Sequence, residues 1–310
     1  MRGGEARLGG ARIRWSVPEG APGAAGGLEH LGHPADEARG SLVGVEVEWS
    51  VREASPEPSS NAAHDAFFGE VRLRCAADAA ATRVWSPAAT FDVSANRVLG
   101  VVHGPAERVA LPASIALHVL AAHHGLAHLH AAVVSFRGQT LVLPGGTGSG
   151  KTSAALAFRA AGAEVRSDDA CYVDPDGEVW PLPRPLHVAE RTLRAHPRLE
   201  VVGHVYEGTP KAQVAGAVPS RGPTPIDALV FPTLRSGGST RVEPMDGASA
   251  WTALLGSSAL AVLPRSPCHA ARLELLARLA ARPAFRLVAG EDALEDPRVI
   301  PAALAACWRG

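Results

Sequence analysis

The chain has 310 residues, a length that suits two domains or one large one, and its 46% hydrophobic and 20% charged residues mark an ordinary globular protein. Lys and Arg number 30 against 31 Asp and Glu, a formal net charge of −1, so no overall basic field is available to hold nucleic acid. Four scattered cysteines (Cys75, Cys171, Cys268, Cys307) show no CxxC pair, which argues against a disulfide scaffold or a Cys-built zinc site and for free thiols in a reducing compartment.

Residues 1–40 are rich in Gly and Ala with weak periodicity and read as a loose segment, and MRGGEARLGGARIRW lacks the apolar core of a signal peptide. Residues 41–108 read as a small antiparallel β domain. Val45, Val47, Trp49 and Val51 alternate with Glu46, Glu48 and Ser50, and Val71, Leu73 and Cys75 alternate with polar neighbours. Short apolar runs around Val84, Phe91 and Val98–Val102 follow with no helix between them, which predicts a meander. Such a domain suits substrate recognition or oligomerisation, and equally a packing appendage.

Residues 109–310 read as one α/β domain. Val109 to Phe136 carries no Asp, Glu, Lys or Arg and is long enough to span a bilayer. It also contains Pro112, Gly125 and five histidines, which are costly in hydrocarbon. We therefore read a buried helix (PASIALHVLAAHHG) running into a buried strand, in a soluble, cytoplasmic protein without a membrane partner. His124 and His128 have the i, i+4 spacing of a zinc pair, but Gly125 falls between them and ends the helix. Further along, TLVLP and AEVRSDD read as strands around an Ala-rich helix that Gly162 stops, and CYVDPDGEVWPLP reads as a hairpin turned at Asp176-Gly177. Apolar strands ALVFPTL and FRLVAG, two Ala/Leu helices and a tail helix complete the chain.

The chemistry concentrates in Gly145-Gly146-Thr147-Gly148-Ser149-Gly150-Lys151-Thr152, which fits GxxxxGK[ST] at every fixed position. Glycines let the backbone curl so that successive N–H groups point into one hollow and bind phosphate oxygens. In such a loop Lys151 reaches the β- and γ-phosphates of ATP, and the Thr152 hydroxyl ligates Mg²⁺. The following helix presents its positive end to the same phosphates. Asp168 and Asp169 close the next strand, at the sheet edge where ligands of open α/β sheets sit. Two carboxylates there can divide the labour, one holding Mg²⁺ and one accepting a proton from an attacking hydroxyl. An acidic turn or helix cap is the plainer alternative.

The stretch from Leu129-His130 through the phosphate loop to Asp168-Asp169 resembles the core of the HPr kinase/phosphorylase family, whose phosphate loop is related to that of PEP carboxykinase. The resemblance covers residues 125–190 well and the rest of the domain loosely. It implies a P-loop sheet with helices, and an enzyme that uses ATP-Mg²⁺ to phosphorylate a hydroxyl, on a Ser of a peptide or protein or on a small molecule. It further implies that Lys151 and Thr152 bind phosphate and Mg²⁺, that Asp168 is the base and Asp169 the metal-facing carboxylate, and that His130 sits beside the transferring group. The two Asp roles remain exchangeable. Arg184, within Pro181-Leu182-Pro183-Arg184-Pro185, is a candidate clamp for an acidic substrate group or an ordinary surface residue.

Family members carry an Arg-Gly-Leu-Gly-Ile segment after the Asp-Asp strand that helps engage HPr. The corresponding stretch here is VWPLPRPLHV, stiffened by prolines, so HPr itself is not the expected acceptor. Lys211, Arg221, Arg235 and Arg241 are isolated cations in polar stretches and equal candidates to approach the nucleotide. Two other readings stay open: an NTPase whose hydrolysis drives a switch, and a nucleotide-binding scaffold without turnover. Acceptor identity and oligomeric state are not legible in these residues.

Overall fold

A computed structural model describes residues 2–8, 11–17, 43–51, 57, 63–68, 71–77, 80–104, 108–182, 185–206, 210–216, 222–258 and 268–308. The chain divides into two compact units, Met1–His128 with Ala259–Glu274 and Leu129–Ser258 with Leu275–Gly310.

The first unit is β-rich. Its strands are β1 (Arg2–Leu8), β2 (Ala11–Val17), β3 (Val43–Val51), β4 (His64–Phe68), β5 (Val71–Ala77), β6 (Ala81–Trp85), β7 (Ala89–Ser94) and β8 (Arg97–Val102), in the order β1-β2-β3-β8-β7-β6-β5-β4. Strands β4 to β8 form the expected antiparallel meander. The β2–β3 and β3–β8 pairs are parallel, so the sheet as a whole is mixed. Residues 2–8 and 11–17, which composition reads as loose, are paired strands, and Ile13 and Trp15 are buried between the arginines of ARIRW.

Helix α1 (Ala110–His123) packs on β6 and β7, and Ile115, Leu117, Val119 and Leu120 are buried. Its 14 residues rise about 21 Å, short of a bilayer core. No helix among the described residues is long and apolar enough to cross a membrane. Gly125 follows it at φ 76°, a left-handed conformation open to glycine. The division between units falls after this helix, within the short β9 (Ala127–Leu129), and not before it.

In the second unit, β10 (Ala131–Phe136) and β11 (Gln139–Pro144) form a hairpin, α2 (Lys151–Ala160) follows, and β12 (Glu164–Ser167) returns beside β10. Then come β13 (Cys171–Val173) and β14 (Glu178–Pro181), the expected hairpin, and β15 (Leu186–Ala189) with α3 (Glu190–Ala195). After β16 (Val201–Tyr206), β17 (Pro210–Val214) and β18 (Thr224–Pro225), the chain enters β19 (Ala228–Leu234), β20 (Arg241–Pro244) and α4 (Gly247–Gly256). Helix α5 (His269–Ala280) begins in the segment that belongs to the first unit and ends in the second, which β21 (Ala284–Ala289), α6 (Asp292–Glu295) and α7 (Val299–Cys307) complete.

The main sheet has the order β12-β10-β11-β19-β21-β20, with β11, β19 and β21 parallel. A second sheet, β15-β17-β16, is antiparallel. Alternate residues of the main sheet (Ala132, Val134, Leu141, Leu143, Val230, Phe285, Leu287) face α2 and α7 in one core, to which Leu186, Val188, Ala212 and Val214 of the second sheet also belong. That shared core fixes α2, and hence the loop before it, to both sheets. On the other face of the main sheet, Phe231, Thr233 and Arg286 meet Ser249 and Thr252 across a hollow of about 510 Å³.

Phe158 of α2 is fully buried and meets the Phe136 ring edge-on at 5.4 Å. Phe158→Ala removes that contact and leaves a cavity, with an expected loss of roughly 3–5 kcal/mol. Urea unfolding read by far-UV circular dichroism checks this, and Phe158→Leu should cost clearly less.

Candidate functional site

The loop between β11 and α2 is shaped by its glycines. Gly148 and Gly150 lie at φ 78° and 101°, where a side chain would be strained. A Cβ on Gly150 would also stand 2.8 Å from Leu234 Cδ2, and one on Gly145 would run into the Ser149 hydroxyl. Gly150 caps α2 without a side chain, and the first intrahelical bond runs from the Ala154 N–H to the Gly150 carbonyl at 2.9 Å. The N–H groups of the first helical turn therefore open towards the loop. No acidic residue sits in that turn to compete for them.

Lys151 is 5% exposed, and its Nζ donates to the carbonyls of Gly145 (2.9 Å) and Gly146 (3.0 Å). Burial lowers the ammonium pKa, while the charges of Asp169 and Asp168 oppose that shift. His130 anchors the loop from the other side. Its carbonyl accepts from the Gly145 N–H at 3.1 Å, and its own N–H donates to the Ser257 carbonyl, just past α4, at 2.7 Å.

The two adjacent carboxylates point to different partners. The chain leaves β12 in a turn pinned by the Ser167 hydroxyl, which lies 3.0 Å from the Leu182 carbonyl and also bonds the Ala170 carbonyl. Asp169 takes φ 72°, a left-handed conformation that Asp tolerates better than most residues. Asp168 turns inward, 1% exposed, and accepts from the Thr152 hydroxyl (3.0 and 3.1 Å) and the His187 N–H (3.2 Å). Burial, helped by the Asp169 charge, raises its pKa to about 6 against the pull of Thr152, His187 and Lys151.

Asp169 stays about a third exposed, with Oδ1 3.0 Å from His130 Nε2 and 3.9 Å from Lys151 Nζ. Burial pushes its pKa up, but His130, Lys151 and Lys211 outweigh that and hold it well below the ordinary carboxylate range.

The structure thus brings together Gly145 to Thr152, His130, Asp168 and Asp169. Arg184 and Arg221 lie outside the described residues. One participant was not singled out in the sequence, His187, whose backbone N–H holds Asp168, and one was named only as a candidate cation, Lys211, whose charge reaches Asp169 and Lys151. Lys211 is one of the four isolated cations; of the others, Arg241 pairs with Glu243 at 2.7 Å.

The donors fit a hard cation with phosphate company. The Thr152 hydroxyl and Asp168 offer oxygens only, and among the described residues no group of three or more His, Cys, Asp or Glu side chains is placed to hold a metal alone. Mg²⁺ characteristically takes one or two protein oxygens and completes its shell from phosphate and water. The histidines of the first unit are arranged differently, with the His118 and His128 rings stacked at 3.7 Å and His118 Nε2 3.2 Å from the Ser114 hydroxyl. No protein-family model matches the chain, and no curated protein sequence matches it.

The raised Asp168 pKa carries a pH signature. Below about pH 3 this carboxyl is neutral folded or unfolded and costs nothing. As pH rises from about 4 to 6 the unfolded chain ionises it while the folded one does not, and stability is lost, about 3 kcal/mol for the full shift. Asp168→Asn removes that titration. With EDTA present, the variant should therefore gain on the wild type by most of that amount between pH 4.5 and 7.5, as measured by urea unfolding. A difference independent of pH would refute the buried, ionisable carboxyl.

Proposed function

We propose that this chain is a P-loop kinase of the HPr-kinase-like type, which transfers the γ-phosphoryl group of ATP to a hydroxyl in the presence of Mg²⁺. The observation that carries the proposal is the divergence of Asp168 and Asp169 beside one phosphate loop. One carboxylate is bound to the Thr152 hydroxyl, and the other faces His130 and Lys151. A site built only to bind nucleotide has no use for the second, partly exposed carboxylate, whereas transfer to a hydroxyl needs a group to receive its proton.

The geometry favours exchanging the two Asp roles that the resemblance implies. Asp168 is buried against Thr152, so these two would hold Mg²⁺, which would neutralise charge on the phosphates. Asp169 is accessible and ionised, oriented by His130, and accepts the hydroxyl proton late, as the new bond forms. The acceptor oxygen bonds to the γ-phosphorus, the bond to the β–γ bridging oxygen breaks, and ADP leaves. Lys151 and the N–H groups at the start of α2 hold the phosphates during this exchange. The acceptor is a Ser-containing peptide or protein or a small hydroxyl compound; HPr is not expected, since the chain lacks the family's glycine-rich docking segment.

The test combines product detection with three variants. Incubation with ATP-Mg²⁺ and, in turn, HPr, short Ser-containing peptides and small hydroxyl compounds should add phosphate to one of the latter two classes, as read by mass spectrometry. Lys151→Ala should abolish turnover and strongly weaken ATP binding. Asp169→Asn should keep ATP binding and lose transfer by roughly 10²–10⁴-fold, while Asp168→Asn should raise the Mg²⁺ concentration needed. Hydrolysis without a phosphorylated product would replace the kinase with an NTPase, and a Mg²⁺ defect confined to Asp169→Asn would restore the original roles.

A further inference from the structure

Strand β11, which leads into the glycine-rich loop, has neighbours of different character on its two sides. The sheet order β12-β10-β11-β19 puts β10 and β12 on one side. At the loop end of those strands stand His130, just before β10, and Asp168 and Asp169, just after β12. On the other side is β19, parallel to β11 and ending at Leu234 on the same edge of the sheet. The polar groups assigned to transfer therefore lie to one side of the loop, and Leu234 lies to the other.

Ala228 and Val230 point from one face of β19 into the core beside α2 and are fully buried. Leu234 belongs to the same face by the period of two, but it has run past the core and is 51% exposed. It rests against the loop: a Cβ on Gly150 would stand 2.8 Å from its Cδ2 and 2.9 Å from its Cγ. The strand end that carries it is pinned. The Arg235 N–H donates to the Ala289 carbonyl at 3.0 Å, and the Thr240 N–H donates to the Asp292 carboxylate at 2.9 Å. An apolar side chain, half open to water, is thus held in contact with the residue that caps α2. A triphosphate seated on the loop with its terminal group towards Asp169 would run across the loop, away from the carboxylates. The opposite end of a nucleoside triphosphate is a planar base, whose faces are the least polar part of the molecule. That end is carried towards the β19 side, where Leu234 offers an apolar surface with no polar group to satisfy.

We propose that Leu234 packs against the base of the bound nucleotide, and so adds to the affinity for a nucleoside triphosphate what an inorganic polyphosphate cannot gain. The inference rests on the phosphate-loop reading above and extends it to the far end of the ligand. Covering the open half of one leucine side chain is worth roughly fivefold in affinity. The diphosphate product keeps this contact, because it carries the same base.

The experiment titrates the Mg²⁺ complexes of ADP, of inorganic tripolyphosphate and of the imido-bridged ATP analogue AMP-PNP, which is not hydrolysed, by calorimetry. Wild type is measured beside Leu234→Ala, Leu234→Ser and Leu234→Met, with thermal melts of all four. Leu234 is half exposed at a strand end, so melting temperatures should stay near wild type. Leu234→Ala and Leu234→Ser should each lose roughly fivefold in affinity for AMP-PNP and for ADP, and less than about twofold for tripolyphosphate. Leu234→Met keeps the apolar volume and should bind all three ligands nearly as wild type does. Equal losses for tripolyphosphate and the nucleotides would mean that Leu234 only shapes the loop through Gly150, and would overturn the base contact. So would no loss at all, a loss confined to AMP-PNP, or wild-type binding of tripolyphosphate without either nucleotide. Failure of wild type to bind any of the three would instead overturn the phosphate-loop reading itself.

Discussion

Asp168 is a carboxylate buried between the Thr152 hydroxyl and the His187 N–H, and three segments distant in sequence meet on its two oxygens. Thr152 lies in the first turn of the helix behind the glycine-rich loop, Asp168 follows β12, and His187 belongs to β15 of the second sheet. Burying a carboxylate with neutral partners alone is unfavourable, which is why its pKa rises to about 6. A cation alongside reverses that balance. The arrangement has the character of a position prepared for added positive charge, and the apolar core shared by α2 and both sheets keeps its three donors and acceptors in place.

The left-handed backbone at Asp169 solves the problem that follows. Two neighbouring carboxylates on a regular strand would point to opposite faces of the sheet, and only one would reach the loop. A turn immediately after β12, pinned by the Ser167 hydroxyl, lets the second carboxylate come round to His130 and Lys151. His130 is itself fixed through its backbone, between Gly145 at the start of the loop and Ser257 after α4. His130 is thus held by hydrogen bonds of its main chain, while its ring meets Asp169.

Much of this was legible in the sequence because it is local. The glycine-rich loop, its flanking strand and helix, the Asp-Asp pair and the Asp176-Gly177 hairpin depend on turn chemistry and periodicity within short windows, and the elements lie where those windows place them. What was not legible depends on pairing between distant segments. A period of two marks which residues of β2 and β3 face inward, but not that they pair in parallel, nor that β3 pairs with β8 across four intervening strands. The alternation in ARIRW was present, yet the surrounding glycines and alanines masked it. Lys211 could be narrowed to one of four cations, and only its charge interaction with Asp169 and Lys151 in the folded chain singles it out. The contact made by His187 comes from its backbone N–H, which no side-chain pattern can report.

The hairpin of β10 and β11 closes through Arg137 and Gly138, both with positive φ, the two-residue turn whose twist matches that of paired strands. Turns of this kind close within microseconds, and contacts between near neighbours in sequence form ahead of those that must close long loops. From this hairpin the chain runs directly through the glycine-rich loop and α2 to β12, which pairs back onto β10. The segment from His130 to Asp169 therefore has the makings of an early folding unit, emerging whole from the ribosome before β19 and β21 are synthesised. Its exposed sheet edge on β11 then stays open until β19 arrives. Apolar strands such as TLVLP, waiting unpaired for a distant partner, are where a nascent chain of this kind is most exposed to misassociation.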